Sequence, residues 1–212
     1  MKVLINRLFE QDNIFKPASK SDIETRDKEK IQIWIKDFEQ RYNVKKNKDG
    51  SYDVNGTVDL SEMNLTKLPV KFGTVRKDFS CGSNQLTSLE GSPRTVGRNF
   101  NCDNNQLTSL KGSPETVGGY FSCEDNQLTN LKGGSKTVGK GFWCMGNQLT
   151  SLEGSPRTVG KNFSCGFNQL TSLDGCPKTV GGYFDCRNNK KKFTVEEVRK
   201  VCNVKGDIIV KE

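Results

Sequence analysis

The fold is decided by a 21-residue segment, FSCGSNQLTSLEGSPRTVGRN, which occupies residues 79–99. The next 21 residues, FNCDNNQLTSLKGSPETVGGY (100–120), repeat it with changes at a few positions. Six cysteines recur at this spacing, at Cys81, Cys102, Cys123, Cys144, Cys165 and Cys186. A phenylalanine precedes each cysteine by two positions, and an asparagine follows it by three. Self-similarity at a fixed short period indicates a repeat array, in which each unit packs against its neighbours.

The fixed positions predict a coil with an apolar interior. The alternation in F-x-C points Phe and Cys to one side of a short strand. Leu86, Leu89 and Val96 return to that interior as the chain curls, while the Glu-Gly-Ser-Pro segment and the glycine after Val are turn residues. Stacked coils would place their strands in parallel, about 4.8 Å apart. With a degenerate first copy, in which Val58 and Leu60 fill the Phe and Cys positions, we expect about seven coils between residues 57 and 189.

This pattern resembles the leucine-rich repeat family. The family motif L-x-x-L-x-L-x-x-N-x-L maps onto Phe79, Cys81, Asn84 and Leu86. The apolar residue before each Phe lies four positions ahead of it, where the family has three, and we expect a looser approach to each strand with the fold unaffected. The NQLTSLEGSP segment is similar to short repeats encoded by tailed bacteriophages. The resemblance implies a leucine-rich-repeat-like solenoid with short parallel strands on the concave face and mostly loop and turn on the convex side.

The two flanks are expected to cap the array, because its ends would otherwise expose apolar surface. Residues 1–56 predict an N-terminal cap with a helix over residues 21–42 and a hairpin around Asp49-Gly50. Residues 190–212 predict a helix–strand C-terminal cap, since Thr194 and Glu197 form a capping-box pair. Residues 1–15 are rich in apolar side chains, which either pack on the cap or attach the protein to something larger.

Several functional classes are disfavoured. The chain has no histidine, which removes the commonest general base and metal ligand, and it has no phosphate-binding loop or paired-carboxylate motif. We therefore expect no enzymatic activity, no cofactor, no metal and no small-molecule substrate. No run of about 18 apolar residues or signal peptide is evident, so we expect no membrane partner and a cytoplasmic location, in the host cytoplasm if the protein is phage-encoded.

The periodic cysteines fit packing better than chemistry. Metal ligands would require convergent C-x-x-C pairs, whereas a buried thiol needs only a small apolar pocket. Leu60 occupies the same position in the first coil, which favours packing. We expect the thiols to lie inside the coils.

The charge of the chain is +8, distributed as +2 over residues 1–56, +2 over 57–186 and +4 over 187–212. The excess is thus placed at the C-terminus, with no basic stripe along the array. Lys190, Lys191 and Lys192 are expected to form a solvated cap surface. We do not expect nucleic acid as a partner, although the basic C-terminal end leaves it as a lesser alternative.

The variable positions beside Phe and Cys face outward and distinguish the coils. Most are small and polar, but a few are large and apolar, as at interface centres: Tyr120, Trp143, Met145, Phe167 and Tyr183. Asp103, Glu124 and Asp125 would add an acidic edge. The sequence therefore predicts a non-enzymatic protein–protein interaction module, which binds a host or viral protein, such as a bacterial host factor, through the concave face.

Two alternatives concern these same regions. The large side chains could instead lie beneath the C-terminal cap, which is most plausible for Tyr183. The protein could also be a structural or assembly component of a virion, anchored by the N-terminal segment.

Overall fold

The computed structural model describes residues 32–33, 35–40 and 44–211. Within them the chain forms a parallel-strand solenoid of about eight stacked turns, with little helix. Each repeat contributes two very short strands, one from its Phe-x pair and one from its Thr-Val pair. Two parallel sheets therefore run the length of the solenoid.

The first of these, the Phe sheet, has eight strands. Its strands are β3 (Val58–Asp59), β5 (Phe79–Ser80), β7 (Phe100–Asn101), β9 (Phe121–Ser122), β11 (Phe142–Trp143), β13 (Phe163–Ser164), β15 (Phe184–Asp185) and β17 (Ile208–Ile209). Each pairs in parallel with its neighbours at the repeat register, so that Phe142 lies between Phe121 and Phe163.

The second sheet, the Thr sheet, has nine strands. They are β1 (Val44–Lys46), β2 (Tyr52–Val54), β4 (Phe72–Val75), β6 (Thr95–Val96), β8 (Thr116–Val117), β10 (Thr137–Val138), β12 (Thr158–Val159), β14 (Thr179–Val180) and β16 (Asn203–Val204). Only the first pair, β1 with β2, is antiparallel. Residues 35–40 are helical, and Phe38 among them is buried with its ring edge-on to Tyr52 and Phe72.

The Thr sheet corrects the expectation of a single sheet. The extra residue between Val and the next Phe lets the chain turn a corner at Gly-x-x, so that Thr-Val and Phe-x belong to different sheets. The glycine after Val makes this corner possible. A Cβ built on Gly139, for example, would overlap the carbonyl oxygen of Gly118 in the preceding coil.

The C-terminal residues supply an eighth coil, one more than expected. Val204 pairs with Val180 and Ile208 pairs with Phe184, so residues 203–209 occupy the strand positions of another repeat. This last coil is three residues longer than the others because the helix Val195–Val201 is inserted into it. The helix begins with a complete capping box between Thr194 and Glu197.

The interior is a set of ladders, each made of one repeat position. All eight cysteines are free and buried, which confirms the packing interpretation. The Phe rings of neighbouring coils stack with centroid separations of 4.9 to 5.8 Å. Asn126 shows how the asparagine works: its Oδ1 accepts from the N–H of Leu107, and its Nδ2 donates to the carbonyl of Cys102. One amide thereby satisfies buried backbone groups of the preceding coil.

Two expectations concern residues outside the described part of the chain. These are the apolar segment 1–15 and most of the predicted helix, including Trp34 and Tyr42. Within the described residues, no helix combines the length and the apolar content that crossing a membrane requires.

Candidate functional site

The outward side of the Phe sheet carries most of the sequence-predicted site residues. Phe and Cys point inward, so the residue between them and the residues on either side face solvent. Among these, four large side chains, which we call the aromatic face, come from three successive coils: Tyr120, Trp143, Met145 and Phe167.

Tyr120 and Trp143 form the centre of the aromatic face. Tyr120 precedes β9 and Trp143 belongs to β11, so the two side chains lie diagonally across adjacent strands. Their rings stack with centroids 4.7 Å apart and an interplanar angle of 12°. The Nζ of Lys140 lies 5.4 Å from the centroid of the Tyr120 ring. Stacked rings with a cation over one face form a stiff, amphipathic platform.

The residues paired with Trp143 on the two adjacent strands are small and buried. Ser122 and Ser164 are its register partners on either side, and both are buried although they point out of the sheet. Ser164 is only 1 % exposed. Asp185, at the same position two coils beyond Trp143, is buried as well. Residues of this column that point out of the sheet are therefore not all open to solvent.

Phe167 is the most exposed aromatic side chain of the face, at 47 % of its surface. Its backbone has φ 53°, in the left-handed region. The same position in the other coils also has positive φ. It holds Glu62 in the first coil and then Ser83, Asn104, Asp125, Gly146 and Asn188. Small polar residues and glycine tolerate this conformation, whereas a bulky side chain there is strained. At this exposure the ring gains little burial to offset the strain.

Arg187 and Asp185 join the site although sequence reasoning did not select them. The guanidinium carbon of Arg187 lies 6.0 Å from the centroid of the Phe167 ring. Its Nε is 3.2 Å from Oδ2 of Asp185, which is almost fully buried. The signal was present in the register, because Arg187 occupies the same repeat position as Met145. A charged residue next to an aromatic column could have been picked out from that alignment.

Tyr183 lies one coil beyond the aromatic face. It shares the repeat position of Tyr120 three coils further along, in the coil that follows that of Phe167. It is half-buried, and its backbone N–H donates to Oδ1 of Asn162 at 3.2 Å.

The three predicted acidic residues lie together beside the aromatic face. Oδ1 of Asp103 accepts from the backbone N–H of Glu124 at 2.7 Å, and Asp125 is exposed in a left-handed turn. Partial burial raises the pKa of Asp103, and the negative charge of Asp125 adds to that effect. Burial also raises the pKa of Glu124, with further contributions from Asp103 and Asp125. The three carboxylates therefore repel one another, and a donor or cation placed over them would relieve that repulsion.

The thiols behind the sheet are poor nucleophiles, because burial raises the pKa of Cys102, Cys123 and Cys144 well above the usual value. Nearer the C-terminus, burial raises the pKa of Cys176 and Cys202 to about 11. Among the described residues, no three Cys, Asp or Glu side chains form a potential metal site.

Comparison with known proteins adds no relative. No protein-family model matches the chain, and no curated protein matches its sequence.

Proposed function

We propose that this protein is a non-enzymatic interaction module that binds a folded protein partner through the outward side of the Phe sheet. The aromatic face would supply the apolar contact, and Asp103, Glu124 and Asp125 would supply polar selectivity. In this proposal the outward side corresponds to the concave face of a leucine-rich-repeat-like solenoid, and the protein is encoded by a bacteriophage and acts on a host or viral protein in the host cytoplasm.

The observation that carries the proposal is Phe167. Large apolar side chains on an outward face mark interaction sites when they cluster. Here one of them is also held in a backbone conformation that its own repeat position gives to Ser, Asn, Asp or Gly in five coils and to Glu in one. Strain of this kind persists where function requires it. Interface centres are also enriched in Trp, Tyr and Met, which are the other side chains of the cluster.

The rigidity of the scaffold supports the same conclusion. Trp143 and Tyr120 are stacked. Trp143 belongs to a strand that is paired with coils on both sides, and Tyr120 immediately precedes another such strand. Docking on such a preformed surface orders few side chains, so little of the binding free energy is lost to conformational entropy.

The test is affinity capture from a bacterial host lysate with the full chain as bait, compared with the double variant Trp143→Ala, Phe167→Asn. We expect a specific protein to be retained by the wild type and lost with the double variant. The matched control is Val195→Ser, Val201→Ser, which removes two other exposed apolar side chains, at 38 % and 39 % exposure, from the C-terminal helix. This control should retain the partner.

Deletion of residues 1–15 separates the proposal from a virion component anchored by that segment. Retention of the partner by the deletion variant is expected here. Loss on deletion, combined with normal capture by the double variant, would contradict the proposal and favour the virion alternative.

A further inference from the structure

The outward side of the Thr sheet has a composition of its own. Its strands place one threonine of each repeat in register, as in Thr95 with Thr116 and Thr116 with Thr137. Six threonines form this column, Thr74, Thr95, Thr116, Thr137, Thr158 and Thr179, and four of them are exposed. Because neighbouring strands are about 4.8 Å apart, the column is a straight row about 24 Å long.

Basic side chains precede the threonines. The position immediately before Thr holds Arg94, Lys136, Arg157 and Lys178, all of them exposed. Glu115 is the one acidic residue in this row, and its Oε2 lies 3.5 Å from Nη2 of Arg94.

A second basic row follows at the corner between the two sheets. The position three residues after Thr holds Lys77, Arg98, Lys140 and Lys161, which are also exposed. The remaining coils of this row have glycine, at Gly119 and Gly182. We call the threonine column and its two flanking rows the basic face.

The fold thus places on one face many of the basic residues that are mixed with acidic residues along the sequence. Residues 57–186 contain thirteen basic and eleven acidic residues, which is why the sequence shows no basic stripe. Eight of the basic residues and only one acidic residue lie in the two rows of the basic face. The other ten acidic residues lie elsewhere on the coils, including the edge beside the aromatic face.

We propose that the basic face binds double-stranded nucleic acid through its phosphates, independently of sequence. Two rows of Lys and Arg with threonine hydroxyls between them are the groups that contact phosphate oxygens in such complexes. A face about 24 Å long matches the rise of about seven base pairs. The proposal goes beyond the protein-binding function, because it uses the other sheet.

The make-up of the basic face favours a duplex over other polyanions. Single strands are held by aromatic side chains on which bases stack, and the three positions that form this face contain none. Binding to an anionic membrane surface would need apolar side chains to insert, and these positions contain none of those either. What remains is a flat, rigid array of point charges and hydroxyls, which suits a regular phosphate backbone.

The experiment measures binding of the full chain to a fluorescent 20-base-pair DNA duplex by anisotropy, as a function of salt. The test variant is Lys136→Gln, Arg157→Gln, Lys178→Gln. It removes the positive charges of the row before Thr in three neighbouring coils. We expect its affinity at 50 mM salt to fall by about tenfold or more, and the slope of log K against log salt to become shallower by about one for each lost phosphate contact. Circular dichroism checks that the variant is folded.

The matched control is Lys67→Gln, Lys111→Gln, Lys132→Gln, which removes the same charge from exposed positions in the leucine and turn segments of the coils. It should bind within about twofold of the wild type, since those side chains lie off the face. A second control, Lys190→Gln, Lys191→Gln, Lys192→Gln, neutralises the C-terminal run and should behave in the same way.

Several results would overturn the proposal. They are failure of the wild type to bind duplex at 50 mM salt, equal losses in the test variant and either control, and stronger binding to a single strand of the same length. Binding to phosphatidylserine vesicles in place of duplex would also overturn it. Duplex binding that survives in Trp143→Ala, Phe167→Asn would leave the basic face independent of the protein-binding proposal.

Discussion

At the scale of single residues, Phe167 combines a structural cost with the binding role that we propose for it. A non-glycine residue in the left-handed region costs about 1–2 kcal/mol, and Asn and Asp bear that conformation most readily. Four other coils place Ser, Asn or Asp at the same position. The exposed ring of Phe167 recovers little free energy from burial within the chain. Under the proposed function, a partner that covers the ring would offset this cost.

Replacing Phe167 by Asn tests this residue directly. We expect the free energy of unfolding to stay the same or rise by up to about 1 kcal/mol, because Asn tolerates the backbone conformation. We expect partner binding to weaken by about tenfold or more, as for an interface residue whose truncation costs over 1 kcal/mol. Urea denaturation and binding isotherms on the same sample measure both quantities. A variant that loses stability and keeps its affinity would mean that Phe167 serves the fold.

Glu124 gives a prediction about pH. Its pKa is raised in the folded state by burial and by Asp103 and Asp125, so folding favours the protonated carboxyl. The contribution of the protonated Glu124 carboxyl to the free energy of unfolding is fully present below the usual pKa of Glu. It is lost as the pH rises through the pKa of Glu124 in the folded state. We expect Glu124→Gln to be more stable than the wild type at pH 7, with the difference shrinking as pH falls towards 4.

The measurement for Glu124 is the midpoint of thermal unfolding across this pH range. The amide of Gln can still accept from the hydroxyl of Ser122, which lies 3.4 Å from Oε2 of Glu124. Glu90→Gln, at an exposed turn position, is the control and should follow the wild type. A stabilisation by Glu124→Gln that does not change with pH would contradict the electrostatic explanation.

At the scale of repeated elements, the asparagine ladder holds one coil to the next. Asn126 accepts from Leu107 N–H at 3.0 Å and donates to the carbonyls of Cys102 and Glu124, at 3.1 and 3.0 Å. Asn126→Ala would leave the buried N–H of Leu107 unpaired, at a cost of about 1–3 kcal/mol. The carbonyls of Cys102 and Glu124 keep other donors, the Nδ2 of Asn105 and the N–H of Asn104. We therefore expect a loss of about 1–3 kcal/mol in the free energy of unfolding by urea denaturation. Gln127→Ala, at the exposed neighbouring position, should change it by less than about 0.5 kcal/mol.

The glycine that follows five of the six Thr-Val pairs of the Thr sheet gives a second prediction at this scale. A Cβ on Gly139 would overlap the carbonyl oxygen and carbon of Gly118. Gly139→Ala must therefore push two coils apart, and we expect a loss of about 1–3 kcal/mol. Gly56→Ala is the matched control, because a Cβ there would meet no atom within 4 Å. Thermal unfolding of the two variants measures the difference, and equal midpoints would show that the coils can separate at this corner without penalty.

These ladders also show how much of the fold could be predicted from the sequence. The F-x-C alternation was enough to predict the parallel strands and the buried thiols. The alternation places Phe and Cys on the same side of a strand, and the 21-residue repeat stacks identical strands in parallel. The Thr-Val strands were missed because two residues carry too little periodicity to be recognised as a strand. Their partners are also 21 residues away, so only the stacked register shows them.

The site was partly predictable for the same reason. Outward positions follow from strand alternation, so Trp143 and Phe167 could be selected as large residues among small ones. The left-handed backbone of Phe167 could not, because the conformation belongs to the turn that Asn168 and its neighbours build. The basic face was also hidden, since it depends on which residues of different coils share one side.

At the scale of the whole molecule, the solenoid separates two surfaces. The aromatic face and its acidic edge lie on the Phe sheet, and the basic face lies on the Thr sheet. The two surfaces meet at Lys140, which belongs to the second basic row and lies over the Tyr120 ring. We predict that substitutions that leave Lys140 and Tyr120 in place act on one surface without changing binding at the other, because changes at distant sites without shared contacts combine additively. The test combines the aromatic double variant with the basic-face triple variant in one chain: Trp143→Ala, Phe167→Asn, Lys136→Gln, Arg157→Gln, Lys178→Gln. Partner capture should then fall as in the double variant alone, and duplex affinity should fall as in the triple variant alone. A loss of duplex binding in the aromatic double variant alone would contradict the separation.

The central claim is that the coils stack with Phe and Cys inside, which places the intervening positions on the outward side of the Phe sheet. Counting the cysteines that iodoacetamide labels, by mass spectrometry, tests this most directly. In native protein at pH 8 the account predicts no labelling of the six ladder cysteines within the time that a free thiol compound reacts fully, since all six are buried and burial raises their pKa. All eight cysteines of the chain should be labelled once guanidinium chloride unfolds it. Rapid labelling of the ladder cysteines in the native protein would contradict the stacked arrangement and, with it, both proposed faces.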